Sequence, residues 1–147
     1  MRKTILALAY LLSSLAAQAQ TPEDCANMAN RWSSVFTTAP SHMDMARLFL
    51  PNALVFGTTS KELGTTAADV VAYFTPVYAR AQRTRNVIKA QSAVQVADGV
   101  WVIAGLYEFI NLAADGIPAA RAARFHFVVV REGTQCKIAA FNSSWVP

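Results

Sequence analysis

The feature that most constrains the fold is a change in the spacing of apolar residues at Arg85. Before it, apolar residues recur every three or four positions, which is typical of helices with one buried side. After it, apolar and polar residues alternate, which is typical of strands, and three of the alternating segments end at a glycine. The segments cover residues 86–99, 100–116, 122–133 and 136–145. This order predicts an α+β domain in which a curved antiparallel sheet wraps around three N-terminal helices.

Each of the three predicted helices begins with a hydroxyl side chain followed three residues later by an aspartate. The hydroxyl can accept a hydrogen bond from a free backbone N–H, and the aspartate favours the positive end of the helix. The pairs are Thr21 with Asp24, Ser41 with Asp44, and Thr66 with Asp69. We expect the second helix to stop at Pro51, a short strand over residues 54–56 to follow, and Pro76 to kink or shorten the third helix.

Residues 1–20 have the pattern of a secretory signal peptide. Arg2 and Lys3 precede an apolar run, and Ala17 and Ala19 form an A-x-A cleavage pattern. The apolar run is too short to span a bilayer comfortably, so we expect cleavage rather than membrane anchoring. Residues 21–147 would then form one periplasmic or secreted domain with no membrane partner. With 54% hydrophobic residues, the chain has enough apolar material for a sizeable core.

The formal charge of +4 overstates the basic character of the mature protein, because Arg2 and Lys3 leave with the signal peptide. One cluster of basic residues could in principle bind nucleic acid or phosphate. We interpret this cluster as a solvated helix end and strand start, and we expect no nucleic-acid partner. The cluster consists of Arg80, Arg83, Arg85 and Lys89.

The two cysteines, Cys25 and Cys136, lie near opposite ends of the mature chain. Export to an oxidising compartment favours a disulfide between them, and two free buried thiols are the alternative. A metal site would need histidines nearby at ligand spacing, and the chain has only His42 and His126. We therefore expect no metal. The chain also has no phosphate-binding loop and no dinucleotide-binding motif, so we expect no cofactor.

Arg124 and His126 lie two residues apart in an otherwise apolar strand, so their side chains share one face of that strand. Two interpretations are open: the pair lines a cavity between sheet and helices, or it lies on a face exposed to solvent or to a partner subunit. The acidic residues are expected at helix caps and turns, or, for Glu108, on the face opposite Tyr107. No carboxylate is thus available to orient His126 as a general base.

Several segments resemble small bacterial proteins of the NTF2-like superfamily. The segment RLFLPNALVFGTTSKELGTTAADVVAYF resembles a helix, strand and helix of those proteins, and ADGIP, ARFHFVV and FNSSWVP extend the resemblance through the sheet. The superfamily includes the SnoaL-like and SgcJ/EcaC groups and the association (hub) domain of calcium/calmodulin-dependent protein kinase II. The serines and proline of FNSSWVP agree with the family pattern, whereas the histidine-rich stretch that precedes them in the family is absent.

The resemblance implies a conical fold whose sheet curls around the first helix and leaves a pocket. In the hub domain, arginines on three strands line this pocket, and their positions correspond here to Tyr107, His126 and Ser143. None of the three is arginine, so Arg124, on the same face as His126, would supply the positive charge. Related ketosteroid isomerase-like and polyketide cyclase-like enzymes place a carboxylate base in the pocket, and the sequence offers no candidate for that base.

From the residues and the resemblance together we expect a non-catalytic pocket that binds a small organic molecule. Anionic molecules belong to the expected range of ligands. The predicted ligand-binding residues are Trp32, Tyr73, Tyr107, Arg124, His126, Asn142 and Ser143. One alternative is an isomerase, dehydratase or cyclase with His126 as base and Tyr107 as oxyanion donor. The other is a pure assembly module. The long apolar strands present more nonpolar surface than the helices can cover, so we also expect a homodimer formed through the sheet.

Overall fold

A computed structural model describes residues 24–79, 84–112 and 117–147, with the side chain of Leu112 left out. Its helices are α1 (Met28–Thr38), α2 (His42–Ala46) and α3 (Ala67–Tyr78), and a 3-10 turn at Cys25–Asn27 precedes α1. Its strands are β1 (Phe49–Phe56), β2 (Arg85–Ala97), β3 (Val100–Leu112), β4 (Pro118–Glu132) and β5 (Gln135–Trp145). The predicted α+β class is confirmed, while the predicted signal peptide lies outside the described residues. None of the described helices is long and apolar enough to cross a bilayer.

The five strands form one open sheet in the order β1-β5-β4-β3-β2. Strands β2 to β5 pair antiparallel with their neighbours in sequence, as predicted. Strand β1 departs from the prediction, because it lies parallel to β5 and makes the sheet mixed. Since β1 and β2 occupy opposite edges of the sheet, α3 carries the chain from one edge to the other. The helices consequently lie across a single face of the sheet.

The second helix is shorter than predicted. It ends at Ala46 rather than at Pro51, and β1 already begins at Phe49. Pro51 lies inside β1, which tolerates a proline because it is an edge strand and its register with β5 shifts between Phe49 and Leu54. The hydrogen bonding between β1 and β5 is already interrupted at this shift, so the missing backbone N–H of Pro51 costs little stability. The predicted strand over residues 54–56 is the second half of this longer strand.

The predicted helix caps are present in the described part of the chain. The side chain of Ser41 accepts a hydrogen bond from the backbone N–H of Met43 at 3.1 Å. Thr66 and Asp69 form a complete capping box at the start of α3. At the first helix, Thr21 lies outside the described residues, and Asp24 itself caps the 3-10 turn. Helix α3 ends at Tyr78, two residues after Pro76.

Side chains along the strands alternate between an inner face, which the helices cover, and an outer face. In β4, Phe125 and Phe127 are buried on the inner face, whereas Arg124 and His126 are exposed on the outer face. The predicted division of β4 into two faces is therefore confirmed. The face that carries Arg124 and His126 points away from the helices, which decides between the two interpretations left open by the sequence.

Strand β5 contains a bulge that changes which of its residues face inward. Its register with β4 shifts between Val128 and Val129. Before the bulge, Cys136 and Ile138 are buried, and after it Phe141 and Ser143 are buried. Inward-facing positions thus change from even to odd numbers, so that one strand supplies both a cysteine for the core and a polar end for the inner face.

The predicted disulfide joins Cys25 to Cys136. The Cα atoms of the two residues are 5.4 Å apart, and both side chains are buried. The bond links the 3-10 turn before α1 to β5, across a sequence separation of 111 residues. It therefore fastens the beginning of the helical layer to the sheet.

Removing this disulfide should destabilise the domain strongly, because the unfolded chain would lose a constraint on a very long loop. The chain-entropy model predicts a loss of about 4–5 kcal/mol in the free energy of unfolding for the double variant Cys25→Ala, Cys136→Ala. Urea unfolding of the oxidised protein and of the double variant measures this loss. Reductant should shift the unfolding curve of the wild-type protein and leave that of the variant in place. Uptake of two alkyl groups by the unreduced wild-type protein would contradict the assignment.

Candidate functional site

A cavity of about 210 Å³ lies between the helices and the inner face of the sheet, close to the C-terminal end of β5. Its wall combines side chains from α1, from α3, from strands β3, β4 and β5, from the residue before β2 and from the loop that follows β1. Most of the wall is aromatic or aliphatic, and the polar groups come from the loop and the strand ends. The lining residues are Trp32, Phe36, Thr58, Thr59, Tyr73, Phe74, Val77, Thr84, Phe109, Asn111, Arg121 and Trp145.

The aromatic part of the wall is held by ring contacts. Trp32 of α1 stacks on Phe36 with the ring centroids 5.0 Å apart, and on Tyr107 with centroids 5.6 Å apart and ring planes 5° from parallel. Phe36 contacts Phe109 of β3, and Phe109 meets Trp145 of β5 edge-on at 5.6 Å. Each ring is fixed by its neighbours, so the wall is already formed without a ligand.

Tyr73 reaches the cavity because Gly57 leaves room for it. A β-carbon on Gly57 would overlap the phenol ring of Tyr73, so a larger residue there would displace the ring. The Tyr73 hydroxyl lies 3.4 Å from the Thr58 hydroxyl, within hydrogen-bond range. Glycine at the end of β1 therefore places a phenol and a threonine side by side in the wall.

The indole N–H of Trp32 is a buried donor that the described residues leave unsatisfied. Trp32 is 1% exposed, and its ring nitrogen has no hydrogen-bond partner among the described residues. A buried donor without an acceptor costs about 1–3 kcal/mol relative to a satisfied one.

Tyr107 and Ser143 meet in the core and do not line the cavity. Their hydroxyls share a hydrogen bond, and both residues are buried on the inner face. Burial raises the pKa of the Tyr107 phenol well above its usual value, and the hydrogen bond with Ser143 opposes this effect only in part. The phenol therefore stays protonated at neutral pH, and its partner is already supplied by the protein.

The structure does not bring all of the predicted site residues together. Trp32 and Tyr73 line the cavity as predicted, whereas Arg124, His126 and Asn142 project from the outer face of the sheet. The reason is the alternation of strand side chains: in β4 the apolar phenylalanines face the helices, so the residues between them face outward. The proposed catalytic pair is separated for the same reason, since His126 and Tyr107 lie on opposite faces.

Sequence reasoning missed Arg121, Asn111 and Thr84. Arg121 shares the odd numbering of Phe125 and Phe127, so the alternation already placed it on their face. Asn111 accepts a hydrogen bond from the Thr84 hydroxyl at the rim of the cavity. Asn111 shares the odd numbering of Tyr107 and Phe109 in β3, so the alternation placed it on the inner face too, and only Thr84 had no signal in the local pattern.

His126 and Asn142 line a separate depression on the outer face of the sheet, and the remaining candidates from the sequence are the basic cluster and a metal site. Of the basic cluster, Arg80 and Arg83 lie outside those residues, and Lys89 pairs with Glu108 at 3.3 Å. No group of three or more His, Cys, Asp or Glu side chains is arranged to hold a metal ion in the part of the chain that the structure describes.

No family model and no curated protein matches the sequence. Solved structures do match the fold. A protein from Xanthomonas campestris named for the calcium/calmodulin dependent protein kinase II association domain is 21% identical, with a TM-score of 0.73 over 82% of this chain and 84% of its own. ActVI-ORFA from Streptomyces coelicolor is 14% identical, with a TM-score of 0.69 over 81% of this chain and 92% of its own.

A third similar structure, from Novosphingobium aromaticivorans and named for scytalone dehydratase, is 11% identical, with a TM-score of 0.70 over 82% of this chain and 80% of its own. At identities this low, the likeness shows a common fold, and it is no evidence for a common activity. Each of the three structures matches the fold of this chain over about four fifths of its length. With its open five-stranded sheet, its three helices and a cavity between them, the chain has the NTF2-like fold.

Proposed function

We propose that the protein is an exported, homodimeric binding protein that holds a small organic molecule in this cavity without transforming it. The observation that carries the proposal is the preformed aromatic wall of this cavity, with a small number of polar groups at its end. Apolar cavities with a few polar groups are the usual form of small-molecule sites. The polar groups available here suit recognition, since they are hydroxyls, an amide and a guanidinium.

The enzyme alternative required a base and an oxyanion donor in one place. His126 and Tyr107, the residues considered for these roles, lie on opposite faces of the sheet. Among the described residues that line the cavity, the titratable side chains are Tyr73 and Arg121. Arginine stays protonated and is poorly suited to accept a proton. A bound molecule that the protein converts to a product would favour the enzyme alternative over ours.

The homodimer is supported by the outer face of the sheet. One row of cross-strand neighbours on this face is apolar across all five strands. Two of its members, Leu54 and Val94, are 47% and 58% exposed. A continuous apolar row of this kind is typical of a face that another molecule covers. The row consists of Val94, Val102, Val128, Ala140 and Leu54.

Export is supported by the sequence of residues 1–20 and by the Cys25–Cys136 disulfide. Structural disulfides are common in oxidising compartments and rare in the cytosol. The intact mass of protein recovered from the periplasm or medium tests this part of the proposal. A mass that includes residues 1–20 would contradict it.

Filling the cavity should abolish ligand binding. Val77 of α3 lines the cavity, and Val77→Phe adds a ring to it. Val71→Phe is the matched control, because Val71 belongs to the same helix and does not line the cavity. A small organic molecule at about 100 times its Kd should raise the free energy of unfolding of the wild-type protein by about 2.7 kcal/mol, seen as several degrees in Tm.

The same shift should appear in the Val71→Phe variant and disappear in the Val77→Phe variant. A panel of small aromatic and aliphatic compounds, charged and neutral, covers the chemistry of the wall. Equal shifts in the two variants would show that the ligand binds elsewhere, and the absence of any shift in the wild-type protein would contradict the proposed function.

A charge on the outer apolar row should break the dimer. The wild-type protein is expected to sediment as a dimer at micromolar concentration, and Val102→Asp as a monomer, because a buried unpaired carboxylate is costly at an interface. Met43→Asp is the control, since Met43 is 45% exposed on α2, away from the sheet. Sedimentation velocity measures the difference. A wild-type protein that is monomeric at every concentration tested would rule out the dimer.

A further inference from the structure

The cavity carries a positive charge at its rim. Arg121 is the one charged side chain among the described residues that line the cavity. Within the described residues, it belongs to neither of the ion pairs, which join Arg47 to Asp44 and Lys89 to Glu108. We infer that the cavity selects single-ring aromatic carboxylates, with the Arg121 guanidinium binding the carboxylate and the aromatic wall enclosing the ring. This inference rests on the proposed binding function and names its class of ligand.

The register of the sheet fixes the position of Arg121. It lies opposite Phe109 of β3, and its neighbour on the inner face of β4, Ala123, lies opposite Trp145 of β5. The guanidinium carbon is 3.9 Å from the centroid of the Trp145 ring, a cation–π contact. Trp145 in turn packs edge-on against Phe109. Arg121 is thus stacked on a ring that the core holds in place.

Stacking leaves the guanidinium free to bind an anion. The contact with Trp145 places the guanidinium carbon over the indole ring, and the N–H donors of a guanidinium lie at the edge of the flat group. Two parallel N–H groups of a guanidinium can bind the two oxygens of a carboxylate at once. A lysine ammonium group lacks this matching geometry. The side-chain oxygen of Asn111 is occupied by Thr84, so the Asn111 NH₂ group is a further donor at the rim. Arg121 and Asn111 can therefore both donate to an acceptor at this end of the cavity.

The size of the cavity and the composition of its wall indicate which organic group the carboxylate is attached to. At about 210 Å³, the cavity is smaller than the roughly 300–1,000 Å³ of sites for drug-sized molecules, so one ring fits better than a fused ring system. Five of the lining side chains are aromatic in addition to Trp145, which favours a planar ring over a flexible chain. These five are Trp32, Phe36, Tyr73, Phe74 and Phe109.

Calorimetric titration of the mature protein with three probes tests the inference. Benzoate has both the ring and the carboxylate, benzamide has the same shape without the charge, and acetate has the charge without the ring. Benzoate should bind about tenfold more tightly than benzamide, as expected for a hydrogen bond to a charged group. Acetate should bind more weakly than benzoate. Raising the salt concentration should weaken benzoate binding and leave benzamide binding unchanged.

Arg121→Gln should reduce the affinity for benzoate about tenfold and leave the affinity for benzamide within about twofold. Arg121→Lys keeps the charge without the two parallel donors and should give an intermediate affinity. Arg124→Gln is the matched control, because Arg124 lies three residues away on the outer face, and its variant should bind all probes like the wild-type protein. Circular dichroism of each variant confirms that it is folded.

The failure of this inference can be told from the failure of the binding function. If benzamide binds as tightly as benzoate, or if Arg121→Gln leaves benzoate binding unchanged, the cavity binds a neutral ligand and the inference is wrong, while the proposed function stands. If neither aromatic probe binds to the folded protein, the inference is wrong, and the proposed function is wrong as well only if no compound of the aromatic and aliphatic panel binds. If Arg124→Gln is the variant that loses benzoate binding, the anion site lies on the outer face and the inference is overturned.

Discussion

The packing of the Trp32 indole against the sheet is the contact on which the rest of the structure depends. This one side chain of α1 contacts aromatic rings from α1 itself, from α3 and from three adjacent strands, with ring centroids 5.0–6.3 Å apart. The strand face that carries these rings is therefore the face that packs against the helices. Because the rings around Trp32 fill the centre of the inner face, the space left over lies between α3 and the strand ends, where the cavity is found.

Much of the fold could be predicted because it follows from local patterns. The capping box at Thr66 and Asp69 depends on neighbouring residues alone, and the change of apolar spacing at Arg85 marks where helices give way to strands. The disulfide could be predicted because the chain has only two cysteines. The pairing of β1 with β5 could not, since it joins strands from opposite ends of the chain, and no local signal specifies such a partner.

The candidate site was harder to predict, because it depends on which face of each strand turns inward. Arg124 and His126 drew attention as polar residues in an apolar strand, yet those same apolar neighbours are what turn them outward. The bulge in β5 has a similar effect, since it brings Ser143 inward and leaves Asn142 outside. Arg121 was overlooked because it lies beyond the apolar part of β4, although its position in the alternation is that of the buried phenylalanines. The sheet thus has two separate roles: its inner face forms the cavity, and its outer face is the surface proposed for the dimer.

The three tryptophans of the chain allow the central claim to be tested in one nuclear magnetic resonance titration. Trp32 and Trp145 line the cavity, whereas Trp101 does not. On addition of benzoate, the account predicts that the indole N–H signals of Trp32 and Trp145 move and that the signal of Trp101 stays in place. Movement of the backbone signals of His126 and Asn142 with no change at Trp32 would place the ligand on the outer face and contradict the account.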